Sequence, residues 1–150
     1  YGNAVMIETS LQEIPAAWTN QVRLPPINEA TPPPSALTCP QPAGQYGEKT
    51  DQRSLYVLYA HLQYPVDLKV GEAVACGDAI GTVGNSGNAL NPHLHLEVRV
   101  GPSGARFGSM AHYDVSASTA EMDAYCVWRV SGLFQLVDPM YLFPTEEINP

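Results

Sequence analysis

Eight prolines, Pro15, Pro25, Pro26, Pro32, Pro33, Pro34, Pro40 and Pro42, fall within residues 9–51. Each removes a backbone donor and fixes φ, so no long helix or strand can run through them. The stretch reads as an inserted surface loop, polyproline-like in part, with a helical turn around Leu11–Thr19. A second set of punctuation lies downstream. Gly71, Gly77, Gly81 and Gly84 divide Leu68–Gly84 into apolar pairs. That register predicts short strands joined by tight turns. What remains for regular structure is a set of short segments, and these read as β.

Residues 1–8 open with a turn and continue as a short strand. Ser54–Leu62 is apolar at nearly every position and rich in aromatic and branched residues, which predicts a strand covered on both faces. His93–Val100 alternates. Leu94, Leu96, Val98 and Val100 face one way, and His93, His95, Glu97 and Arg99 the other. Gly84–Pro92, turn-rich, delivers the chain into it. Residues 101–132 are less regular and read as a second insertion, with Val127–Val130 as a short strand inside it. Leu133–Phe143 closes the chain, with a turn beginning at Asp138-Pro139. The expected fold class is all-β: one small antiparallel β-sheet domain of short strands over residues 1–150, with irregular insertions at 9–51 and 101–132.

Composition narrows the function. The net charge is −8 and seven Lys and Arg are scattered without a run. A nucleic-acid binder needs basic patches, so none is expected. Apolar runs are too short to span a bilayer. The chain opens at Tyr1 with no initiator Met and no basic-then-apolar leader, which suggests a processed protein or a fragment. Of three cysteines, Cys76 reads as a buried free thiol. Cys39 and Cys126 sit in irregular polar stretches. They are compatible with a disulfide in an oxidising compartment or with two unpaired thiols.

Of four histidines, two form His93-x-His95. Imidazoles at i and i+2 of a strand share a side, so one can bind a metal while the other works on water. The plain alternative is the polar face of an edge strand. His61 ends an apolar strand, where a histidine is most often structural, and it gains weight only if it converges on His93. His112 reads as a surface residue.

Five blocks, in order, resemble the M23 (LytM/lysostaphin-type) zinc metallopeptidase family. They are Tyr1-Gly-Asn-Ala-Val-Met-Ile7, Leu58-Tyr-Ala-His-Leu62, Val70–Gly87, Pro92-His-Leu-His-Leu-Glu-Val-Arg99 and Asp138-Pro-Met-Tyr-Leu142. The resemblance implies a small antiparallel, barrel-sandwich-type β-domain with a groove over its sheet. It also implies a Zn2+ ion held by a His-x-x-x-Asp pair and by the second His of His-x-His. On that pattern His95 resembles the metal ligand, and His93 and His61 resemble the two catalytic histidines. The implied reaction is hydrolysis of peptide cross-links in bacterial peptidoglycan, outside the cytoplasm. The sequence departs from the family at one place. The family's His-x-x-x-Asp lies upstream of the Tyr-Gly-Asn block, and none of the four histidines here has Asp four residues on. The chain alone is therefore expected to hold zinc weakly and to be inactive.

Two other readings stay in view. One is a degenerate LytM domain that binds peptidoglycan or regulates an envelope amidase. The other is a biotinyl- or lipoyl-type carrier, suggested by the glycine hairpins. It is disfavoured because Lys49 and Lys69 are the only lysines and neither has the context of an acyl-bearing residue. Oligomeric state is left open.

Overall fold

The computed structural model describes residues 1–19, 49–112 and 114–142, and the side chains of Trp18, Lys49 and Thr50 are not described within them. Four strands appear in that part: β1 (Asn3–Ser10), β2 (Lys49–Leu62), β3 (His95–Ser103) and β4 (Gln135–Val137). They form one sheet in the order β1-β2-β3-β4, with β3 and β4 antiparallel in the register Val98–Val137, Arg99–Leu136 and Val100–Gln135. Helices are α1 (Ala16–Thr19), α2 (Thr119–Arg129) and a 3-10 turn at Pro139–Leu142. The small strand-based domain expected from the sequence is present, with one substantial helix added.

The chain divides into two compact units. One comprises Tyr1–Ile7 and Val57–Glu97, the other Glu8–Tyr56 and Val98–Pro150. The first holds the buried end of β2, where Leu58, Ala60, His61 and Leu62 are all 6% exposed or less. Expected cover on both faces of this strand is found. The strand is longer than expected, starting at Lys49 inside the proline-rich segment.

The second unit is organised on aromatic rings. Tyr56, Trp128 and Phe134 are at most 1% exposed. Phe134 meets Tyr56 at 5.4 Å and Phe107 at 5.1 Å between centroids, both edge-on. Such pairs contribute roughly 0.5–1.5 kcal/mol each beyond the area they bury. Arg99 lies over the Trp128 ring at 5.2 Å and donates from Nη1 to Phe134 O at 2.7 Å. The Tyr56 hydroxyl sits beside Glu8 Oε1 at 3.0 Å and Pro102 O, and accepts from Ala105 N–H at 3.2 Å. Burial pushes this phenol far above its ordinary range, with Glu8 adding to the shift.

Several expectations are corrected. Val127–Val130 is not a strand: Val127–Arg129 close α2 and Val130 caps its C-terminus. Ser118 caps the helix N-terminus, accepting from Glu121 N–H, while Glu121 reaches back to the Ser118 backbone. That reciprocal box fixes the start, and Gly132 at φ 77 turns the chain after the end. Val127–Val130 reads as strand-like because Val127 and Trp128 end a run of five consecutive buried helix residues, Ala124–Trp128, which hides the helical period.

Leu68–Gly84 does not form strands joined by hairpins. Its pairing with regular structure is a single antiparallel bridge, Val83 to Leu62, and Val70 is 82% exposed. Gly71 and Gly77 have positive φ and close turns at 70–71 and 76–77, and the rest of the segment is irregular apart from the bridged residues 83 and 84. Cys76 on it is exposed, not buried. Cys126 lies on α2, not in an irregular stretch, and is disulfide-bonded. Cys39 and most of 9–51 lie outside the described residues. Glu97 and Arg99, expected on a polar face, are 5% and 6% exposed: Glu97 is met by Tyr1 and His95, and Arg99 by Trp128 and Phe134.

Candidate functional site

The first unit carries three of the four histidines. His61 is next to last in β2 and has φ 60, a left-handed backbone that non-glycine residues seldom adopt. Such a conformation costs roughly 1–3 kcal/mol and persists where its surroundings dictate it. Here they do. His61 N–H donates to Tyr1 O at 3.0 Å, and the ring nitrogen Nδ1 lies 2.8 Å from Ser86 O.

Ser86 is itself held from three directions. Its hydroxyl donates to Leu62 O at 2.6 Å and accepts from Asn3 N–H at 2.9 Å. Asn3 Nδ2 adds bonds to Leu62 O at 3.2 Å and Gln63 O at 3.4 Å. Gly2 and Gly87 let the two backbones touch: a Cβ on Gly2 would meet Ser86 C at 2.4 Å, and one on Gly87 would meet Gly2 N at 2.3 Å. The Tyr1-Gly-Asn block and the Asn85-Ser-Gly87 turn are thus one clamp, and its product is the orientation of the His61 ring.

His93 and His95 arrive from the next segment. His93, expected in the strand, lies instead in an isolated bridge to Gly84, and β3 starts at His95. The Gly84 backbone runs against Gln63, with room for no side chain there: a Cβ would come within 2.4 Å of Gln63 Cα. The two rings nevertheless meet the same partner. His61 lies 4.8 Å from His93 and 5.5 Å from His95 between centroids. His61 therefore converges on the pair. It is 6% exposed, His95 is half-buried and His93 is exposed, so the cluster opens to solvent through His93.

Hydrogen bonds assign the tautomers. A carbonyl only accepts, so Nδ1 of His61 donates to Ser86 O, and Nδ1 of His93 donates to Asn91 O at 2.7 Å. Both rings, when neutral, then carry their lone pair on Nε2. In His95 the order is reversed. Its Nε2 lies 3.2 Å from Glu97 Oε2, which leaves the lone pair on Nδ1. Tyr1 donates its hydroxyl to the same Oε2 at 2.9 Å and sets its ring edge-on to His95 at 5.4 Å. Sequence reasoning did not single out Tyr1, Ser86 or Glu97. The signal for Glu97 was the alternation itself, since it shares a strand face with His95.

His112 belongs to the second unit, where it is half-buried with its ring 5.3 Å from Tyr125, not a surface residue. Among the described residues no group of three or more His, Cys, Asp or Glu is arranged to hold a metal ion. A catalytic zinc takes three protein ligands. The described histidines do not by themselves fit a zinc site.

No curated protein and no solved structure matches the chain. A family does: Peptidase family M23 matches residues 41–116, just over half of the sequence. The match contains His61, His93 and His95 and the blocks around them, while the Tyr1–Ile7 and Asp138–Leu142 blocks lie outside it. The three-histidine unit and the match together give the assignment: this chain belongs to Peptidase family M23.

Proposed function

We propose that this chain is the histidine-bearing part of a zinc endopeptidase that hydrolyses peptide cross-links of bacterial peptidoglycan outside the cytoplasm. The observation that carries the reading is the convergence of His61 on His93 and His95 within residues matched to a peptidase family. The disulfide at Cys126 supports an oxidising compartment. Among the described residues no helix is long and apolar enough to cross a membrane.

The chemistry follows from the tautomers. Peptide hydrolysis needs a base for the attacking water and an acid for the leaving amine. His93 is exposed and presents Nε2 as an acceptor, so it is suited to take a proton as the water oxygen bonds to the carbonyl carbon. The resulting imidazolium returns that proton to the amine nitrogen as the C–N bond breaks. His61 presents its own Nε2 beside it and can hold the second O–H of the water. His95 would supply one ligand to a zinc ion that polarises the carbonyl and the water, and its partners would come from a His-x-x-x-Asp pair that residues 1–150 do not contain.

That gap favours a second reading, in which the domain binds peptidoglycan or regulates an amidase without catalysis. One experiment separates the two. The complete product of the gene is incubated with purified peptidoglycan, and newly exposed amino groups are measured. Release of amines, reduced about 100-fold or more in His93→Ala, is the expected result. Binding to peptidoglycan without amine release would establish the second reading instead.

A further inference from the structure

We propose that Glu97 is the positioning residue of the histidine cluster: its carboxylate fixes the tautomer of His95, and Tyr1 holds that carboxylate in place. The three rings are not oriented alike. His61 and His93 each donate from Nδ1 to a backbone carbonyl, Ser86 O and Asn91 O. No side-chain substitution at those acceptors removes the bond directly. His95 instead meets a side chain, Glu97 Oε2 at 3.2 Å, and meets it through the opposite nitrogen.

The consequence is chemical. An ionised carboxylate only accepts, so Nε2 of His95 keeps its proton and Nδ1 is the atom left with a lone pair. Without the carboxylate, the ring could place its proton on either nitrogen, and the lone pair would follow. On the reading above, residue 97 thus decides which nitrogen of His95 has a lone pair to offer.

Three further observations bear on it. Glu97 is two residues from His95 on β3, so the pleat puts both side chains on one side of the strand. Its side chain is only 6% exposed, and a carboxylate is not buried there without hydrogen-bond donors. Tyr1 supplies one of them at 2.9 Å, and its ring, edge-on to His95 at 5.4 Å, limits how the imidazole can rotate away.

The test is the tautomer itself, read by long-range proton–nitrogen correlation on the nitrogen-15-labelled 150-residue chain. It is recorded near pH 9, above the ordinary range of imidazole titration. Neither metal nor substrate is added. The expected spectrum shows Nε2–H for His95 and Nδ1–H for His61 and His93. Glu97→Gln, whose amide oxygen can still accept, keeps that pattern. Glu97→Leu lowers the ratio of Nε2–H to Nδ1–H in His95 by about tenfold or more, the share of a charge-assisted bond, and leaves His61 and His93 unchanged. An Nδ1–H signal for His95 in the native chain overturns the proposal. So does an unchanged ratio in Glu97→Leu, or a change in all three rings together, which marks mere loss of structure. Should the leucine variant not fold, the native spectrum decides alone: Nδ1–H at His95 refutes the proposal. Because no hydrolysis is read, a chain with these spectra and an inactive gene product would sink the peptidase reading and leave this one standing.

Discussion

Leu62 O is the point where the clamp around His61 can be tested quantitatively. It accepts from the Ser86 hydroxyl at 2.6 Å and from Asn3 Nδ2 at 3.2 Å, and Leu62 is 3% exposed. Ser86→Ala removes the first bond and also the acceptor of Asn3 N–H, so about 2 kcal/mol of stability is lost. Asn3→Ala removes two longer bonds at the rim and costs about 1 kcal/mol. In either single variant Leu62 O keeps one donor. In the double variant it keeps neither, and an unsatisfied buried carbonyl adds roughly 1 kcal/mol or more. The double variant is therefore expected to lose about 4 kcal/mol, against about 3 from simple addition. Urea unfolding of the four proteins at one temperature measures this directly. Additivity within about 0.4 kcal/mol would refute the shared-acceptor argument. It would mean that the two side chains do not meet at Leu62 O in solution.

Other consequences are simpler. Tyr56→Phe leaves Ala105 N–H without its acceptor and Pro102 O without its donor, so a loss of about 1–3 kcal/mol is expected in the same unfolding assay; an unchanged midpoint would contradict the buried hydroxyl network. Glu121 has its carboxyl lowered from the ordinary value by bonds from the Ser118 backbone and hydroxyl. Its contribution to α2 is therefore complete above the ordinary glutamate range and is lost as pH falls through the lower folded value. Acid titration of helicity by circular dichroism should show that loss in the native chain and not in Glu121→Gln. Gly87→Ala puts a Cβ 2.3 Å from Gly2 N in a left-handed backbone, so the folded chain should lose the Nδ1–H signature of His61 along with stability; retention of both would show that the turn does not pack on Tyr1-Gly2. Calorimetric titration of the 150-residue chain with zinc should give a dissociation constant weaker than about 1 µM. One-to-one binding tighter than that would show a complete ligand set within these residues.

What the sequence displayed was whatever the period-2 pattern and the residue types encode. The apolar run Ser54–Leu62 predicted a buried strand, and alternation over His93–Val100 placed His95 and Glu97 on one side. The first holds along β2, and of the second the His95–Glu97 pairing holds through the pleat of β3, while His93 lies outside the strand and Leu94 is 42% exposed. Val127–Val130 failed because five consecutive helix residues, Ala124–Trp128, are buried, and that stretch shows no period. The helix start was nonetheless written in Ser118-Thr-Ala-Glu121, a capping-box spelling that should have outweighed the apolar run. Of the glycines at 71–84, Gly71 and Gly77 sit in turns with positive φ and Gly84 serves a close backbone approach, while Gly81 is in neither a turn nor a positive-φ backbone. Strands between them failed because a strand needs a partner, and that is a property of the rest of the fold.

The histidine cluster shows the same division more sharply. Residue types and spacing marked His61, His93 and His95, yet nothing local says which nitrogen of each ring carries the proton. That depends on acceptors distant in sequence or on irregular backbone: Ser86 O for His61, 25 positions away, and Asn91 O in a loop for His93. The left-handed backbone of His61 is equally invisible, because the strand pattern leading to it continues without interruption while the Tyr1 carbonyl and the Ser86 turn impose the twist. His95 differs because its acceptor is two residues away on the same strand, so its tautomer is the one that could be read from sequence once β3 is recognised. A substitution at Glu97 changes the chemistry of one ring. A substitution in the Tyr1–Asn3 or Ser86 region changes the placement of another. The two failures are separable by the nitrogen spectra even where both abolish activity.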